Sequence, residues 1–342
     1  MKINEKTFGV LPDGKEAKLY TLCAGDLEFS LTNFGAAWTS LIVPSRNGAK
    51  DDILLGFSDL SGFLNNKPYM GVTVGRFANR IKDASFAIDG KTFRLDANEN
   101  GNSLHSGSSG FGRMLWKADA YEEKDGVYIR FELTSPDGEG GFPGNMKASV
   151  CYGLTKSNEL TADYQAEVDQ KCPVNLTNHA YFNLAGEGKG DILSHEVIFH
   201  SSSFIEIDDK LIPSGKIIQV KDDKAYDFTA RRRIGAAFGK PDGYDQFFIV
   251  DGKPGVMRPC AEVIEPQSGR TMKISTTQPG VQFYTGIYLK DIQGKSAVYG
   301  KSAGFCLETQ HFPDTPNHEN FPSCIFGPGN SYSEKAVFSF SF

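Results

Sequence analysis

The sequence has no uninterrupted apolar run of membrane-spanning length in its 342 residues, so a spanning helix is not expected. It has no Cys-x-x-Cys pair; Cys23, Cys151, Cys172, Cys260, Cys306 and Cys324 are scattered. Free thiols in a reducing compartment are therefore expected, rather than a disulfide framework. His-x-His and His-x-x-x-His spacings are missing as well, which removes the commonest metal-ligand patterns, and no metal or other cofactor is expected. Positive charge is short: the net charge is −6, which argues against a nucleic-acid partner. The one dense basic run, Arg231-Arg232-Arg233, reads as a solvated loop or a local salt-bridge site. The opening Met1-Lys2-Ile3-Asn4-Glu5-Lys6 holds no apolar segment, so no signal peptide and a cytoplasmic location are expected. On that expectation the sequon Asn175-Leu176-Thr177 goes unused. A long amphipathic helix and a glycine-rich phosphate loop are also missing.

What is abundant is punctuation. Thirty-seven glycines and sixteen prolines divide the chain into many short β-like runs, and 26 phenylalanines can fill a sizeable core. Strands are expected at 27–32, at 36–43 before Pro44, and at 85–88 and 91–95 around the hairpin turn Asp89-Gly90. Two further pairs, 116–122 with 127–134 and 146–154 with 159–168, flank Asp125-Gly126 and Ser157-Asn158. Runs at 196–199, 204–207, 216–220, 246–250, 261–265 and 271–275 follow. Val337-Phe338-Ser339-Phe340-Ser341-Phe342 alternates cleanly and is expected inside a sheet. Short helical turns are expected only at 58–65 and 234–238. Strands in succession at short spacing mean antiparallel pairing in a sandwich or barrel. No composition break marks a linker, so residues 1–342 are read as one all-β domain.

Polar segments of unusual density interrupt this pattern. The longest is Asn175-Leu176-Thr177-Asn178-His179-Ala180-Tyr181-Phe182-Asn183-Leu184. At a period of two it sets Asn175, Thr177, His179, Tyr181 and Asn183 on one face. The other face carries Leu176, Asn178, Ala180, Phe182 and Leu184, a pattern that suits a sheet packed on a core beneath a polar cleft. A lone histidine of this kind is ordinarily a hydrogen-bonded core residue, but five more segments accompany it. They are Gly75-Arg76-Phe77-Ala78-Asn79-Arg80, Asn102-Ser103-Leu104-His105-Ser106-Gly107, Gly243-Tyr244-Asp245-Gln246, the 278–286 run with Gln282 and Tyr284 on one face, and the 304–314 run. In the last, Cys306, Glu308 and Gln310 share a face opposite Phe305 and Leu307, so a carboxylate stands above an apolar layer.

Taken together and in order, 75–80, 102–105, 175–186, 278–286 and 304–314 resemble the aldose 1-epimerases, or galactose mutarotases. The resemblance runs from Asn33-Phe34-Gly35-Ala36 to Pro328-Gly329-Asn330-Ser331-Tyr332. It implies a large antiparallel β-sandwich that carries a free aldohexose such as glucose or galactose in a cleft on one sheet. It also implies Glu308 as general base, His179 as general acid, and Asn79, Arg80, His105, Asp245 and Gln282 as groups that position sugar hydroxyls. Gln246 after Asp245, Ser106 after His105, and Asn330 depart from the usual pattern without removing a catalytic group. Anomer exchange needs one base and one acid across a small site and nothing else. Glu308 is accordingly expected ionised at rest and His179 protonated. A monomer or weak homodimer is expected, with no membrane partner.

Rival readings are a glycoside hydrolase using Glu308 and Asp245, a non-catalytic carbohydrate-binding protein, and a metal enzyme built on His105, His179 and Glu308. A phosphorylated-sugar epimerase would want a basic phosphate pocket, which the sequence does not display.

Overall fold

In the computed structural model, residues 1–237 and 242–342 are described, and strands dominate them. The first five, Lys2–Val10, Glu16–Ala24, Leu27–Thr32, Ala37–Pro44 and Lys50–Asp52, form an antiparallel meander. A nine-stranded antiparallel sheet runs from Lys117–Glu122 through Gly126–Ser135, Met146–Thr155 and Glu159–Val168 to the C-terminal strand Tyr332–Ser341. It continues through Thr271–Thr276, Arg258–Ile264 and Glu196–Phe199 to the short Arg232–Arg233. A second five-stranded sheet orders Pro213–Gln219, Ser203–Ile207, Asp245–Ile249, Gly280–Tyr284 and Cys306–Gln310.

Alternation makes these elements. Val127, Ile129 and Phe131 are fully buried, while Tyr128, Arg130 and Glu132 between them point away from the core. Phe338 and Phe340 are buried in the same manner, because the C-terminal strand pairs on both sides, with Glu159–Val168 and with Thr271–Thr276. Trp38 of the meander meets Phe29, Tyr152 and Phe338 edge-on at 5.2, 5.3 and 5.4 Å. That aromatic knot joins the meander to the nine-stranded sheet as two layers of a sandwich. The hairpin at Asp89-Gly90 has φ of 50° and 79° at its two turn residues, the double left-handed geometry that Asp-Gly favours.

The expected strands recur within a few residues of their limits. Besides strands of two or three residues, two long ones were missed, Lys2–Val10 and Glu16–Ala24; the first is charged and mostly exposed, so it carries no buried alternation to read. The helical turn expected at 58–65 is the helix Leu60–Leu64, capped by Asp59. At 234–238 a 3-10 turn covers Ile234–Ala237, and Phe238 lies outside the described residues. Arg231 approaches Glu196 and Glu262 at 3.9 Å, so the basic run is a salt-bridge site. All six cysteines are free thiols. No helix among the described residues is long and apolar enough to cross a membrane.

The 175–184 stretch departs most from expectation. Only Thr177–Asn178 pairs as a ladder, with Thr73–Val74, while Asn175 and Phe182 make single bridges to Phe77, Leu54 and Phe305. Both sides are buried, so the segment is threaded through the interior instead of lying on an open sheet. The period of two survives: Leu176, Ala180, Phe182 and Leu184 enter the core. On the polar side, however, Asn175 donates to the carbonyls of Ala78 and His311 at 3.1 and 3.3 Å. Asn183 donates to those of Gly190 and Ala303, both at 3.1 Å. Those amides satisfy loop backbone that has no ladder partner. Full burial of Asn175 also closes the sequon to modification.

Arg76 belongs to a motif segment yet turns away from the cleft. Its guanidinium donates to the carbonyls of Ser135, Pro136, Pro143 and Gly144 at 2.7–3.1 Å, bracing the glycine-rich loop. Arg76→Met is expected to lower unfolding free energy by about 2–4 kcal/mol, since those carbonyls lose charged donors. Urea titration checks this, and an unchanged midpoint would show the loop stands without the brace.

Candidate active site

A cleft of about 360 Å³ opens on the second five-stranded sheet, and all seven residues expected to form a site line it. Register explains one wall. Gln282 lies directly opposite Glu308, and Asp245 opposite Tyr284. Their side chains therefore share one face, while Val281, Phe283 and Leu307 go down into the core. Gln282 Nε2 donates to Asp245 Oδ1 at 2.6 Å.

The second wall comes from a small two-stranded sheet, Arg80–Ile81 with Ser103–Leu104. Asn79 and His105 flank it in left-handed conformations, with φ of 67° and 52°. They bond reciprocally: the Asn79 N–H donates to His105 Nδ1 at 3.2 Å, and the His105 N–H donates to the Asn79 carbonyl at 3.1 Å. Non-glycine residues hold this backbone only where surroundings enforce it. Arg80 is nearly buried; Glu99 grips it bidentately at 2.6 and 2.8 Å, and Asp245 Oδ2 lies 3.8 Å from its Nη1.

His179 completes the floor, delivered by the interior segment. The Gly71 N–H donates to the His179 carbonyl at 2.9 Å, and Gly71 has φ +72° with a hypothetical Cβ only 2.2 Å from the Trp38 carbonyl oxygen. Only glycine fits that junction. His179 Nε2 stands 3.7 Å from Glu308 Oε1. Its ring stacks on Tyr181 at 5.1 Å and meets His105 edge-on at 5.2 Å.

Burial governs the charges. It pushes the Glu308 carboxyl well above the usual carboxylate range, helped by the Asp245 charge and opposed by Arg80. Burial likewise pushes His179 down to about 4. His105 is lowered by burial, then by His179 and Arg80. Burial raises Asp245 against the pull of Arg80 and Gln282. Both shifts favour the neutral forms of Glu308 and His179 over the expected ion pair. The reason is desolvation of both groups at 2% and 5% exposure.

The ligand atoms of His105, His179 and Glu308 all lie within 4.8 Å of one another, compact enough for a divalent cation. The donor set argues otherwise. His105 Nδ1 accepts a backbone N–H, so the neutral ring carries its proton on Nε2 and offers a donor, not a lone pair, there.

Sequence reasoning missed several lining residues. Tyr181 and Tyr284 share faces with His179 and Gln282, so alternation was a usable signal for them. Glu99, Tyr69 and Tyr288 come from loops, and nothing in their local sequence marks them. Two carboxylates, Glu99 and Asp245, face two cations, Lys67 and Arg80, while Glu308 is pushed toward its neutral form, so no excess of positive charge lines the cleft. That balance disfavours a phosphorylated ligand and suits a neutral one rich in hydroxyls.

Comparison with known proteins places this geometry. A family model described as aldose 1-epimerase matches residues 18–339. The chain is 40% identical to a galactose mutarotase of Bos taurus, over 100% of this chain and 99% of that one. It is 33% identical to an aldose 1-epimerase of Escherichia coli, over 99% of each. Among solved structures it is similar to an aldose epimerase homologue from C. elegans, with TM-score 0.86, 28% identity and 94% and 98% of the two chains covered. The fold also matches a galactose 1-epimerase from Lactobacillus acidophilus at TM-score 0.87 and 22% identity, over 99% and 98%. Matched along nearly its whole length by both the family model and these relatives, the chain belongs to the aldose 1-epimerase family of isomerases.

Proposed function

We propose that this chain interconverts the α and β anomers of free aldohexoses, glucose and galactose among them, with Glu308 as general base and His179 as general acid. The observation that carries this reading is the buried pair at 3.7 Å on the floor of a cleft where Asn79, Arg80, His105, Asp245 and Gln282 also converge. Glu308 takes the proton of the C1 hydroxyl while the C1–O5 bond breaks, and His179 protonates O5. Rotation about C1–C2 turns the other carbonyl face inward. Ring closure then returns both protons. The pair holds one proton throughout: on His179 before opening, on Glu308 in the open-chain state. Burial favours the second arrangement, the one that accompanies the unstable intermediate, and this narrows the gap between closed and open forms. Glu308 Oε2 has no hydrogen-bond partner. A bound sugar hydroxyl would donate to it and draw the pair toward the ionised start. Asn79, Arg80, His105, Asp245 and Gln282 would hold the remaining hydroxyls.

Polarimetry on freshly dissolved α-glucose and α-galactose tests the reading directly. Rates no faster than the uncatalysed background, with sugar still bound, would leave a carbohydrate-binding protein. Dialysis against a strong chelator is expected to leave the rate unchanged, because proton transfers suffice. Activity lost to the chelator and restored by Zn²⁺ would refute that.

Activity should also be confined to the pH window in which the pair holds a single proton. The acid limb lies where His179 gains its second-site proton, and the alkaline limb where Glu308 gives up the one it holds. Asp245 raises Glu308, so Asp245→Asn lowers the Glu308 pKa and moves the alkaline limb of kcat/KM to lower pH. An alkaline limb that stays put, or moves up, would remove that coupling.

A further inference from the structure

Cys306 and Glu308 lie two residues apart on the strand Cys306–Gln310, and their side chains reach the two nitrogens of one imidazole. Glu308 Oε1 lies 3.7 Å from His179 Nε2, and Cys306 Sγ lies 3.5 Å from Nδ1. Both side chains are buried, and Cys306 has no exposure at all. We propose that Cys306 is a positioning residue: its sulfur accepts the Nδ1–H of His179, so that Nε2 remains the nitrogen exchanging a proton with the sugar. This rests on the acid role given to His179 above.

The acid step requires that assignment. An imidazolium that releases its Nε2 proton is left as the Nδ1–H tautomer, with a lone pair on Nε2 ready to take the proton back at ring closure. The opposite tautomer has its proton on the wrong nitrogen and must turn or exchange with solvent first. The partner at Nδ1 also sets strength. Catalytic imidazoles that act as bases are commonly braced there by a carboxylate, which makes the ring more basic. A neutral thiol accepts the hydrogen bond without that electrostatic gain, which keeps His179 a ready proton donor. Burial holds Cys306 as the thiol.

The other groups around the ring do not supply this contact. Tyr181 and Tyr69 stack on it at 5.1 and 6.1 Å, and Tyr284 and His105 meet it edge-on at 6.5 and 5.2 Å. The Tyr181 hydroxyl donates to the Pro68 carbonyl. Asp245 stands on the same sheet face as Glu308 but faces Arg80 of the second wall at 3.8 Å. The ring's own backbone carbonyl also favours a proton on the ring and, with a second lone pair beside the one taken by the Gly71 N–H, acts together with the sulfur, so Cys306→Ala reads the sulfur's share. Among the described residues, no carboxylate is paired with Nδ1.

Nitrogen NMR of the full chain with ¹⁵N-histidine reads the tautomer without turnover. The empty protein near pH 7 is expected to show His179 protonated at Nδ1 and bare at Nε2. Cys306→Ala should mix the two tautomers and lower kcat about tenfold with KM within twofold. Cys306→Ser, which keeps an acceptor, should restore the single tautomer and most of kcat. An Nε2–H signal in the parent protein overturns the proposal whatever the variants do. So does a Cys306→Ala variant with parental tautomer and kcat, or a Cys306→Ser variant no better than alanine. The expected tautomer, lost in Cys306→Ala, with no rate above background on any aldose would uphold the thiol contact and reject the catalytic reading instead.

Discussion

Glu308→Gln is expected to lower kcat for anomer exchange by about 10²–10⁴-fold, equivalent to about 3–5.5 kcal/mol of barrier, with KM little changed. The amide matches the carboxyl in shape but cannot accept the C1 hydroxyl proton. The fold should tolerate it. Glu308 is 2% exposed, and its Oε2 has no hydrogen-bond partner to lose. Its pKa is raised by burial, so ionised Glu308 costs the folded state stability above its unfolded pKa, and the neutral amide removes that cost. The variant should therefore melt no lower than the parent at neutral pH. Spontaneous mutarotation sets a floor, so rates need correction at matched pH and buffer, and calorimetry with sugar verifies the pocket. A folded, sugar-binding Glu308→Gln protein with near-parental kcat would remove Glu308 as the base and leave Asp245 next in line.

His179→Asn should cost a comparable factor in kcat, because among the described residues His179 is the titratable group paired with Glu308, its Nε2 3.7 Å from the carboxyl and placed to return the proton. His105→Asn is expected to act differently, raising KM and lowering kcat less. His105 accepts the Asn79 N–H through Nδ1, and burial with its cationic and imidazole neighbours holds the ring neutral. A neutral ring that offers Nε2–H can orient a hydroxyl but is a poor source of a proton. The two variants measured side by side separate the roles through the split between kcat and KM. Greater damage to kcat from His105→Asn would reverse the assignment of the acid.

Much of this architecture was legible beforehand. Asp89-Gly90 is a turn by its own local energetics, and 127–131 or 336–340 declare a buried face by alternation, so the hairpins and the C-terminal strand were found near their limits. Lys2–Val10 escaped because an exposed strand is held by ladder hydrogen bonds, which leave no apolar pattern. The 175–184 stretch was misread in kind though not in phase. Its side chains alternate, but its backbone bonds go to three separate stretches, 71–78, 53–55 and Phe305, instead of one neighbouring strand. Glu99 is the clearest omission: a loop carboxylate whose importance lies in a bidentate hold on Arg80, 19 residues away.

By itself, then, the sequence determined which short stretches are strands and which residue types could exchange protons, because alternation and turn propensity are local and side-chain chemistry travels with the residue. Charge state, neighbours and orientation were decided by the tertiary structure alone. The register that sets Gln282 opposite Glu308 and the glycine that admits the His179 segment depend on atoms far apart in the chain. So does the burial that pushes Glu308 up and His179 down, toward their neutral forms. Desolvation acts on a group only once the rest of the chain has closed around it, and no window of residues contains that closure.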